Sequence, residues 1–393
     1  MLDFEMHLPT RLVFGRDSHK RVGALLKQYG FTNPLLVYGG QSIKKSGLYD
    51  AVRESLEAEG LSFSELGGVQ PNPRVSLVRE GIALARERGC DVMLAVGGGS
   101  TIDTSKAIAA GVFYDGDIWD LYSKRIPFSK ALPVTAILTL PAAGSEMSSS
   151  AVISDEETQV KQNMSNNILR PLFSIMNPEL FFTLPKNQIA NGIADIMSHI
   201  FERYFTSTTQ TDLIDGLSEA TLRTILRHGP KVVENPSDYD AWCQVGFGGT
   251  IAHNDLLGLG RRQDWATHLI EHELSALYDV AHGAGLAALT PSWMTYVYKE
   301  NINMFVQFAV NVMGVGGSFR EPEAIVLEGI DRLRRFFSSL GLATTLSGIG
   351  IGPDRLEEMA KRVTGADGPN PHTIGGVKAL DTQDVLEILK LAQ

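Results

Sequence analysis

Short apolar runs alternate with amphipathic segments along residues 1–185. Continuous apolar runs at 34–38, 91–96 and 132–139 predict buried strands, and a weaker strand pattern lies at 61–66. Between these runs, apolar residues at three- and four-residue spacing predict helices over 47–58, 75–89 and 101–110. Strands that are apolar throughout and separated by helices are typical of a parallel sheet covered on both faces. The pattern predicts a Rossmann-like α/β domain.

After residue 185 the strand patterns nearly vanish and helical spacing dominates. The predicted helices are 187–205, 210–228, 238–257, 265–278, 287–297, 302–312, 322–340 and 381–391. The turn 182–185 (Phe-Thr-Leu-Pro) is the predicted hinge, and 364–376 is predicted to be a long loop. We therefore predict two domains, an α/β domain over 1–185 and an all-α domain over 186–393.

Composition excludes several classes of protein. Among 393 residues, 44% are hydrophobic and 20% are charged, as in an ordinary globular protein. A net charge of −10 argues against binding to nucleic acids or to anionic membranes, which need basic patches. Two cysteines provide no disulfide framework, and neither a leader pattern nor a long apolar run is present. We predict a cytoplasmic protein with no membrane partner.

A glycine-rich turn links the predicted strand at 91–96 to the next helix. It reads Gly97-Gly98-Gly99-Ser100 and is followed by Asp103. Glycines let the backbone approach a phosphate, and a helix N-terminus offers unpaired N–H groups to it. Ser100 is the predicted N-cap of that helix. The turn predicts a phosphate site, although a plain capped turn is the alternative.

The end of the first buried strand bears on cofactor choice. An enzyme specific for NAD often carries an acidic residue near such a strand end, to bind the ribose 2′-hydroxyl. Here Gly39 follows the strand, with Ser42 and two lysines after it. This pattern favours a 2′-phosphate and hence NADP, with a plain turn and solvated lysines as the alternative. Asn72 and residues 139–145 are further loops at predicted strand ends, where ligands of such sheets bind.

Histidines concentrate in the second half, where six of the nine fall between residues 199 and 282. Asp195 and His199 are four residues apart on a predicted helix, as are His268 and His272, so each pair shares one helix face. His282 follows closely. A carboxylate with imidazoles suits a borderline divalent cation. Such a site needs three or four ligands, which leaves one of the five residues for other work, such as proton transfer.

A rival interpretation concerns residues 268–272, which match the His-x-x-Glu-His pattern of some zinc peptidases. In that case Glu271 would be the catalytic base. A peptidase would leave the glycine-rich turn and the α/β half without a role, so this alternative is disfavoured.

We assign structural roles to His253, on an apolar helix, and to His228, as the last residue of its helix before Gly229-Pro230.

The motifs together resemble the iron-activated (group III) alcohol dehydrogenases, in particular their NADPH-dependent butanol dehydrogenase and aldehyde reductase branch. The likeness runs nearly end to end. Its motifs are Pro9–Gly15, Gln70–Pro73, Gly97–Asp103, Thr139–Ser145, Asp195–His199, Gln263–His268 and His282-Gly283. Asn177 departs from the pattern, because the family commonly has an acid there.

The resemblance implies a dehydroquinate synthase-like architecture and assigns site residues. The implied ligands of a divalent metal, Fe²⁺ or Zn²⁺, are Asp195, His199, His268 and His282, which leaves His272 as the residue near the substrate. The implied cofactor site comprises Gly39, Ser42, Asn72, Gly98, Gly99, Ser100, Asp103, Thr139, Ser145 and Lys161. The expected cofactor is NADP(H) rather than NAD(H), and the expected assembly is a homodimer or larger homo-oligomer.

The expected reaction is reversible hydride transfer between the nicotinamide and a primary alcohol or aldehyde, with the metal as Lewis acid and the site between the two domains. Sugar or polyol dehydrogenases and a lyase related to dehydroquinate synthase are the alternatives on this fold. The lyase needs a basic pocket, and only Arg261-Arg262 stand near the predicted site. A catalytically silent metal-binding protein is the non-enzyme alternative.

Overall fold

The computed structural model describes residues 1–318 and 320–393, which form two compact units. The sheet unit comprises residues 7–184 and 236–246. The helical unit comprises residues 1–6, 185–235 and 247–393. Within the described residues, no helix combines the length and the apolar character that crossing a membrane requires.

A six-stranded parallel sheet forms the centre of the sheet unit, in the order β1-β8-β5-β4-β2-β3. Its strands are β1 (Arg11–Phe14), β2 (Pro34–Tyr38), β3 (Ser64–Leu66), β4 (Val92–Gly97), β5 (Val134–Leu138) and β8 (Phe173–Met176). Strands β6 (Ser150–Asp155) and β7 (Val160–Ser165) form a separate antiparallel pair. The predicted α/β class with a parallel sheet is confirmed. The sequence patterns had revealed β2 to β5 but not β1, β8 or the antiparallel pair.

Helices cover both faces of the sheet. They are α1 (Val22–Gln28), α2 (Ser42–Lys45), α3 (Leu48–Ala58), α4 (Val75–Arg88), α5 (Gly99–Gly111) and α6 (Trp119–Ser123). Alternate residues of β2 enter different cores: Leu35 packs in a cluster with residues of α4 and α5, and Leu36 in a cluster with residues of α1 and α3. A central strand buried on both faces has no polar alternation, which explains its apolar sequence.

The helical unit contains the remaining helices, as predicted for the second half. They are α7 (Lys186–Tyr204), α8 (Asp212–Glu234), α9 (Tyr239–His253, whose first half groups with the sheet unit), α10 (Ala266–Tyr278), α11 (His282–Val297), α12 (Ile302–Asn311), α13 (Pro322–Ser339), α14 (Leu356–Val363) and α15 (Thr382–Leu391). An aromatic core includes Phe205, which stacks on Phe305 with ring centroids 4.4 Å apart and meets Trp293 edge-on. Helix α14 was not predicted.

The predicted end of α8 at His228 is wrong, because the helix continues through Pro230 to Glu234. An interior proline costs a helix about 3 kcal/mol. Burial offsets that cost here, since Val232 is fully buried and Gly229 lies against Ile193 of α7. His228 is therefore inside the helix and does not complement its C-terminal dipole.

Helices α7 and α11 approach each other closely at Gly283. A Cβ on Gly283 would lie 2.0 Å from the carbonyl oxygen of Asn191 in α7, nearer than any side chain can approach. The contact is with backbone, which cannot rotate away. The spacing of these two helices therefore depends on the missing side chain.

We predict that Gly283→Ala lowers the stability of the metal-free protein by about 1–3 kcal/mol, the usual cost of overpacking a rigid contact. The measurement is urea unfolding followed by circular dichroism. Gly216→Ala is the matched control, because Gly216 is exposed in α8 with nothing within 4 Å of the added Cβ. The control should gain about 0.5–1 kcal/mol. Equal stability of the two variants would contradict the assignment.

Candidate metal centre and cofactor edge

Three helices of the helical unit bring a carboxylate and three imidazoles together. Helix α7 supplies Asp195 and His199, α10 supplies His268, and His282 is the first residue of α11. Oδ1 of Asp195 lies 3.3 Å from Nε2 of His199. The same oxygen lies 3.7 Å from Nε2 of His268 and 3.7 Å from Nε2 of His282. Three imidazole nitrogens thus lie within 3.3–3.7 Å of one carboxylate oxygen.

The chemistry of this donor set fits a divalent metal ion. Asp195, His199 and His268 are each 5% exposed, while the side chain of His282 keeps 25% of its surface exposed. Three imidazole nitrogens and one carboxylate oxygen suit Fe²⁺ or Zn²⁺. Within the described residues two groups have metal-binding spacing: Asp195 with His268 and His282, and His199 with Glu202 and His268.

Two buried glutamates stand behind the histidines. Nδ1 of His268 lies 2.5 Å from Oε2 of Glu202, whose Oε1 accepts hydrogen bonds from the Thr267 hydroxyl at 2.6 Å and from the His268 backbone N–H at 3.0 Å. Oε2 of Glu271 makes a short hydrogen bond with Nδ1 of His282. His268 and His282 therefore each present Nδ1 to a glutamate carboxylate and Nε2 to Asp195.

A cationic and aromatic layer covers the opposite side of His199. The His253 ring lies 4.1 Å from the His199 ring, and Nδ1 of His253 lies 2.8 Å from a guanidinium nitrogen of Arg203. Arg203 also donates to the His199 carbonyl at 2.8 Å and lies 4.7 Å from the Trp265 ring. An arginine always donates, so Nδ1 of His253 accepts and its proton is on Nε2.

Trp265 adopts a left-handed backbone conformation at the start of α10. Its φ is +65°, which is unfavourable for a bulky side chain. The conformation directs the indole against the rings of His199, His253 and His268, at 5.4–5.9 Å between centroids. Next to it, the Asp264 carboxylate accepts from the backbone N–H groups of Ala266, Gly376 and Val377, which fixes the chain at this point.

The pKa values of two buried histidines are displaced in opposite directions. Burial and the neighbouring His253 and His268 hold the pKa of His199 well below its ordinary value, so His199 is neutral and able to bind a metal. Burial also acts to lower the pKa of His268. The charge of Glu202 and hydrogen bonds to Asp195 and Glu202 outweigh it and raise that pKa to about 9.

His272 lies one turn beyond His268 on α10, outside the four-donor cluster. It is partly exposed, and its ring centroid is 6.0 Å from that of His282. The peptidase interpretation needs Glu271 as a free base. That expectation is wrong, because the Glu271 side chain is fully buried and is bonded to both Ser275 and His282.

Several predicted cofactor residues meet at one edge of the sheet unit. Tyr38 of β2 is in register with Val96 of β4, and Gly97 with Leu138 of β5. The residues that follow these strands are therefore neighbours, which brings Gly39, Gly98 and Thr139 to the carboxyl edge. This is the edge at which parallel sheets bind ligands.

The glycine-rich turn differs from its prediction in one respect. Helix α5 begins at Gly99 with Gly98 as N-cap, so the expectation that Ser100 caps the helix is wrong. The strand ends at Gly97 and the glycines let the helix start sooner, which places Ser100 in its first turn. Added Cβ atoms on Gly98 and Gly99 would lie 3.2 and 3.0 Å from Leu140 and Ala143. Protein packing alone therefore restricts both positions.

Asp103 and Ser145 face the interior of the sheet unit. The Ser145 hydroxyl donates to Asp103 at 2.5 Å, and the Val152 N–H donates to the same carboxylate at 2.9 Å. Fully buried Lys106 donates to the carbonyls of Ser145, Ser148 and Ser150. Burial raises the pKa of Asp103, against the charge of Lys106. These groups attach segment 145–152 to α5.

The other predicted cofactor residues lie apart from that network. Lys161 of β7 donates to Oδ1 of Asn72 at 3.2 Å, and both are buried. Asn72 has a φ of +51°, a conformation that asparagine tolerates. Ser42 is exposed at the first residue of α2.

Sequence reasoning assigned no positioning role to Glu202, Glu271 or Arg203. A partial signal existed, because Glu202 is three residues after His199 and Glu271 is three after His268. Helical spacing shows that such side chains share a face. It does not show which histidine of another helix a carboxylate meets.

We predict that binding of Zn²⁺ to the metal-free protein at pH 7.5 releases about one proton per ion, because the metal displaces the proton from Nε2 of His268. The raised pKa means that the folded protein holds this proton from pH 6.5 up to about 9, so Zn²⁺ affinity should rise with pH in that window. Calorimetry in two buffers of unlike ionisation enthalpy measures the release. Identical heats in both buffers at pH 7.5 would contradict it.

Comparison with known proteins identifies the family of the chain. The profile of the iron-containing alcohol dehydrogenases matches residues 9–178, and the C-terminal profile of the Fe-containing alcohol dehydrogenase family matches residues 189–393. NADH-dependent butanol dehydrogenase A of Clostridium acetobutylicum is 44% identical, over 99% of each chain. NADPH-dependent aldehyde reductase YqhD of Escherichia coli is 34% identical, over 92% of this chain and 93% of that protein.

A solved structure is similar throughout. That of NADH-dependent butanol dehydrogenase A from Thermotoga maritima matches with a TM-score of 0.96 and 40% identity, over 100% of this chain and 99% of the other. Both profiles, the sequence relatives and the fold agree along nearly the whole chain. The chain therefore belongs to the iron-containing alcohol dehydrogenase family and is an alcohol/aldehyde oxidoreductase of that family.

Proposed function

We propose that the protein interconverts a primary alcohol and its aldehyde with NAD(P)(H), using one divalent metal ion, Fe²⁺ or Zn²⁺, held by Asp195, His199, His268 and His282. The observation that carries the proposal is the convergence of three Nε2 atoms on Oδ1 of Asp195. The names of the relatives support a short aliphatic substrate such as butanal.

A metal at this position supplies Lewis acidity to the substrate oxygen, and the nicotinamide supplies or accepts the hydride. The protein's own residues exclude water and set the charge of the site. Asp195 and the neutral His199 are buried, whereas His282 is partly exposed, so the opening toward substrate lies on the side of His282. His272 is on that side too, and we assign it proton exchange with the substrate.

We assign the cofactor to the carboxyl edge of the sheet, with its phosphates at the N-terminus of α5 near Gly98, Gly99 and Ser100. Helix N–H groups and the helix dipole favour phosphate there. Thr139 lies next to this turn, because its backbone N–H donates to the Gly97 carbonyl at 3.0 Å. Asp103 and Ser145 would act indirectly, by fixing the segment after Thr139. Asn72 and Lys161 form a second polar pair in this unit.

We propose a preference for NADPH, from residues near the end of β2. Gly39 has no carboxylate that would repel a 2′-phosphate, and Ser42, Lys44 and Lys45 follow it. Lys44 lies over the rings of Tyr38 and Tyr49, at 5.3 and 5.0 Å, which keeps its charge close to this strand end. The names of two relatives above indicate NADH instead. Comparing kcat/KM for NADPH and for NADH decides which cofactor this protein prefers.

The alternative reactions on this fold are less well supported. A lyase related to dehydroquinate synthase needs a basic pocket. Of the two arginines named for it, Arg261 is fully buried against Asp215 and the carbonyls of Arg203 and Thr211, which leaves the exposed Arg262 alone. A catalytically silent protein would have no use for a pair as exposed to solvent as His272 and His282. The sugar and polyol dehydrogenases remain substrate alternatives within the same family.

We expect protein reloaded with Fe²⁺ or Zn²⁺ to oxidise NADPH in the presence of butanal, followed as loss of absorbance at the reduced-nicotinamide band. His268→Ala should lose at least 100-fold in kcat/KM and most of its bound metal, because one of four ligands is removed. His228→Ala, a histidine of α8 outside the metal-capable groups, is the matched control. Full activity with full metal content in His268→Ala would refute the ligand assignment.

The cofactor proposal is tested with Gly39→Asp. The new carboxylate should accept the ribose 2′-hydroxyl and repel a 2′-phosphate, which lowers the ratio of kcat/KM for NADPH to that for NADH at least tenfold. A Cβ at this position lies 3.3 Å from the Val69 carbonyl, so a small adjustment accommodates it. Gly39→Ala separates size from charge and should leave the ratio within twofold. An unchanged ratio in Gly39→Asp would overturn the argument.

A further inference from the structure

We propose that Glu202 and Glu271 are positioning residues for the metal site. Of the two, only Glu202 cannot be replaced by an amide without changing which nitrogen of its histidine is free to bind the metal. The inference rests on the proposed metal site. Glu202 faces Nδ1 of His268 and Glu271 faces Nδ1 of His282. Each carboxylate thereby keeps the proton of its histidine on Nδ1 and leaves Nε2 as the ligand atom.

Nδ1 of His268 and Oε2 of Glu202 lie 2.5 Å apart. Two lone pairs cannot face each other at that distance inside a protein. Oε1 of Glu202 accepts from Thr267 and from the His268 backbone. Of the two groups that face each other through Oε2 and Nδ1, imidazole is a stronger base than a carboxylate. The proton is therefore on the histidine.

The environment of Glu271 is less restrictive. Its Oε1 accepts from the hydroxyl of Ser275, and that hydroxyl also lies 3.4 Å from the Val280 carbonyl. A serine hydroxyl rotates and can either donate or accept. If the carboxylate of Glu271 is replaced by an amide, the Ser275 hydroxyl can switch from donating to accepting. The backbone N–H of His268, which contacts Glu202, can only donate.

Charge gives both glutamates a second, shared role. Asp195, Glu202 and Glu271 are buried carboxylates, and Arg203 is a buried cation beside His199. Once metal binding has made all the histidines neutral, these three carboxylates and Arg203 sum to two net negative charges, which one divalent cation balances. Buried charges without such balance are costly.

Glutamine substitutions separate these two roles. In Glu202→Gln the amide oxygen must remain with its two donors, Thr267 and the His268 N–H, so the NH₂ group faces Nδ1 of His268. Nδ1 then becomes an acceptor, the proton moves to Nε2, and His268 cannot bind the metal. In Glu271→Gln the amide can turn its oxygen toward His282 and donate to Ser275, so the ligand tautomer survives.

We expect Glu202→Gln to weaken Zn²⁺ binding 10- to 100-fold and Glu271→Gln to weaken it less than tenfold, measured by competition with a chromophoric chelator. Glu219→Gln is the matched control. Glu219 is a buried carboxylate of α8 that bonds Tyr204, Gln307 and Asn311 and no histidine, so affinity should stay within twofold of wild type. Circular dichroism and thermal unfolding of each metal-free variant establish that it is folded.

A second readout reports the tautomer directly. In ¹⁵N-histidine-labelled, Zn²⁺-loaded wild type, we expect His268 to show a protonated Nδ1 and a metal-bound Nε2 in long-range ¹H–¹⁵N spectra, assigned with His268→Ala. Glu202→Gln should lose that signature, whereas Glu271→Gln should keep it for both His268 and His282. A merely structural role of Glu202 would leave the signature unchanged and so would overturn the proposal.

The affinities separate failure of this inference from failure of the metal site. Equal losses in the two glutamine variants would mean that charge alone matters and would refute the tautomer argument. Wild-type affinity in both variants would refute the positioning role while the site stands. If Asp195→Asn binds Zn²⁺ as tightly as wild type, the proposed metal site itself fails.

Discussion

Buried negative charge is the constraint on which the helical unit depends. Asp195, Glu202 and Glu271 are almost wholly removed from solvent, and only one cation, Arg203, contacts the same cluster among the described residues. Carboxylates in such a place must be paired or must bind a metal. Thr267 donates to Glu202, and Ser275 and His282 contact Glu271. One divalent cation would offset the remaining negative charge at the point where helices α7, α10 and α11 meet.

Helical periodicity placed Asp195 and His199 one turn apart, but the choice of four ligands among five candidates came from the family resemblance. The predicted helix at 287–297 did not include His282, which is the first residue of α11. The rest was beyond sequence reasoning for physical reasons. Which carboxylate meets Nδ1 of His268 depends on how α7 crosses α10, and that crossing depends on contacts such as Gly283 against Asn191. The same limit explains α8, where burial of Val232 outweighs the helix-breaking tendency of Pro230.

In the sheet unit, the sequence predicted some strands and missed others. The strands with long apolar runs were predictable because both their faces are buried, whereas the short edge strand β1 carries no such pattern. The glycine-rich turn was correctly located, but part of its sequence serves the protein itself. Leu140 and Ala143 leave little room for a Cβ at Gly98 and Gly99, and Asp103 and Lys106 bind protein groups. A motif can therefore be restricted by packing and by ligand binding at once.

The buried negative charge of the metal cluster has a consequence for the life of the protein in a cell. A ligand that binds only the folded chain adds to its stability in proportion to the logarithm of ligand concentration over the dissociation constant. Here the ligand also removes electrostatic repulsion among three buried carboxylates. A newly made chain that finds no metal keeps that repulsion and opens more often, which exposes it to proteases. The amount of protein that accumulates would then follow metal supply, through turnover rather than through synthesis.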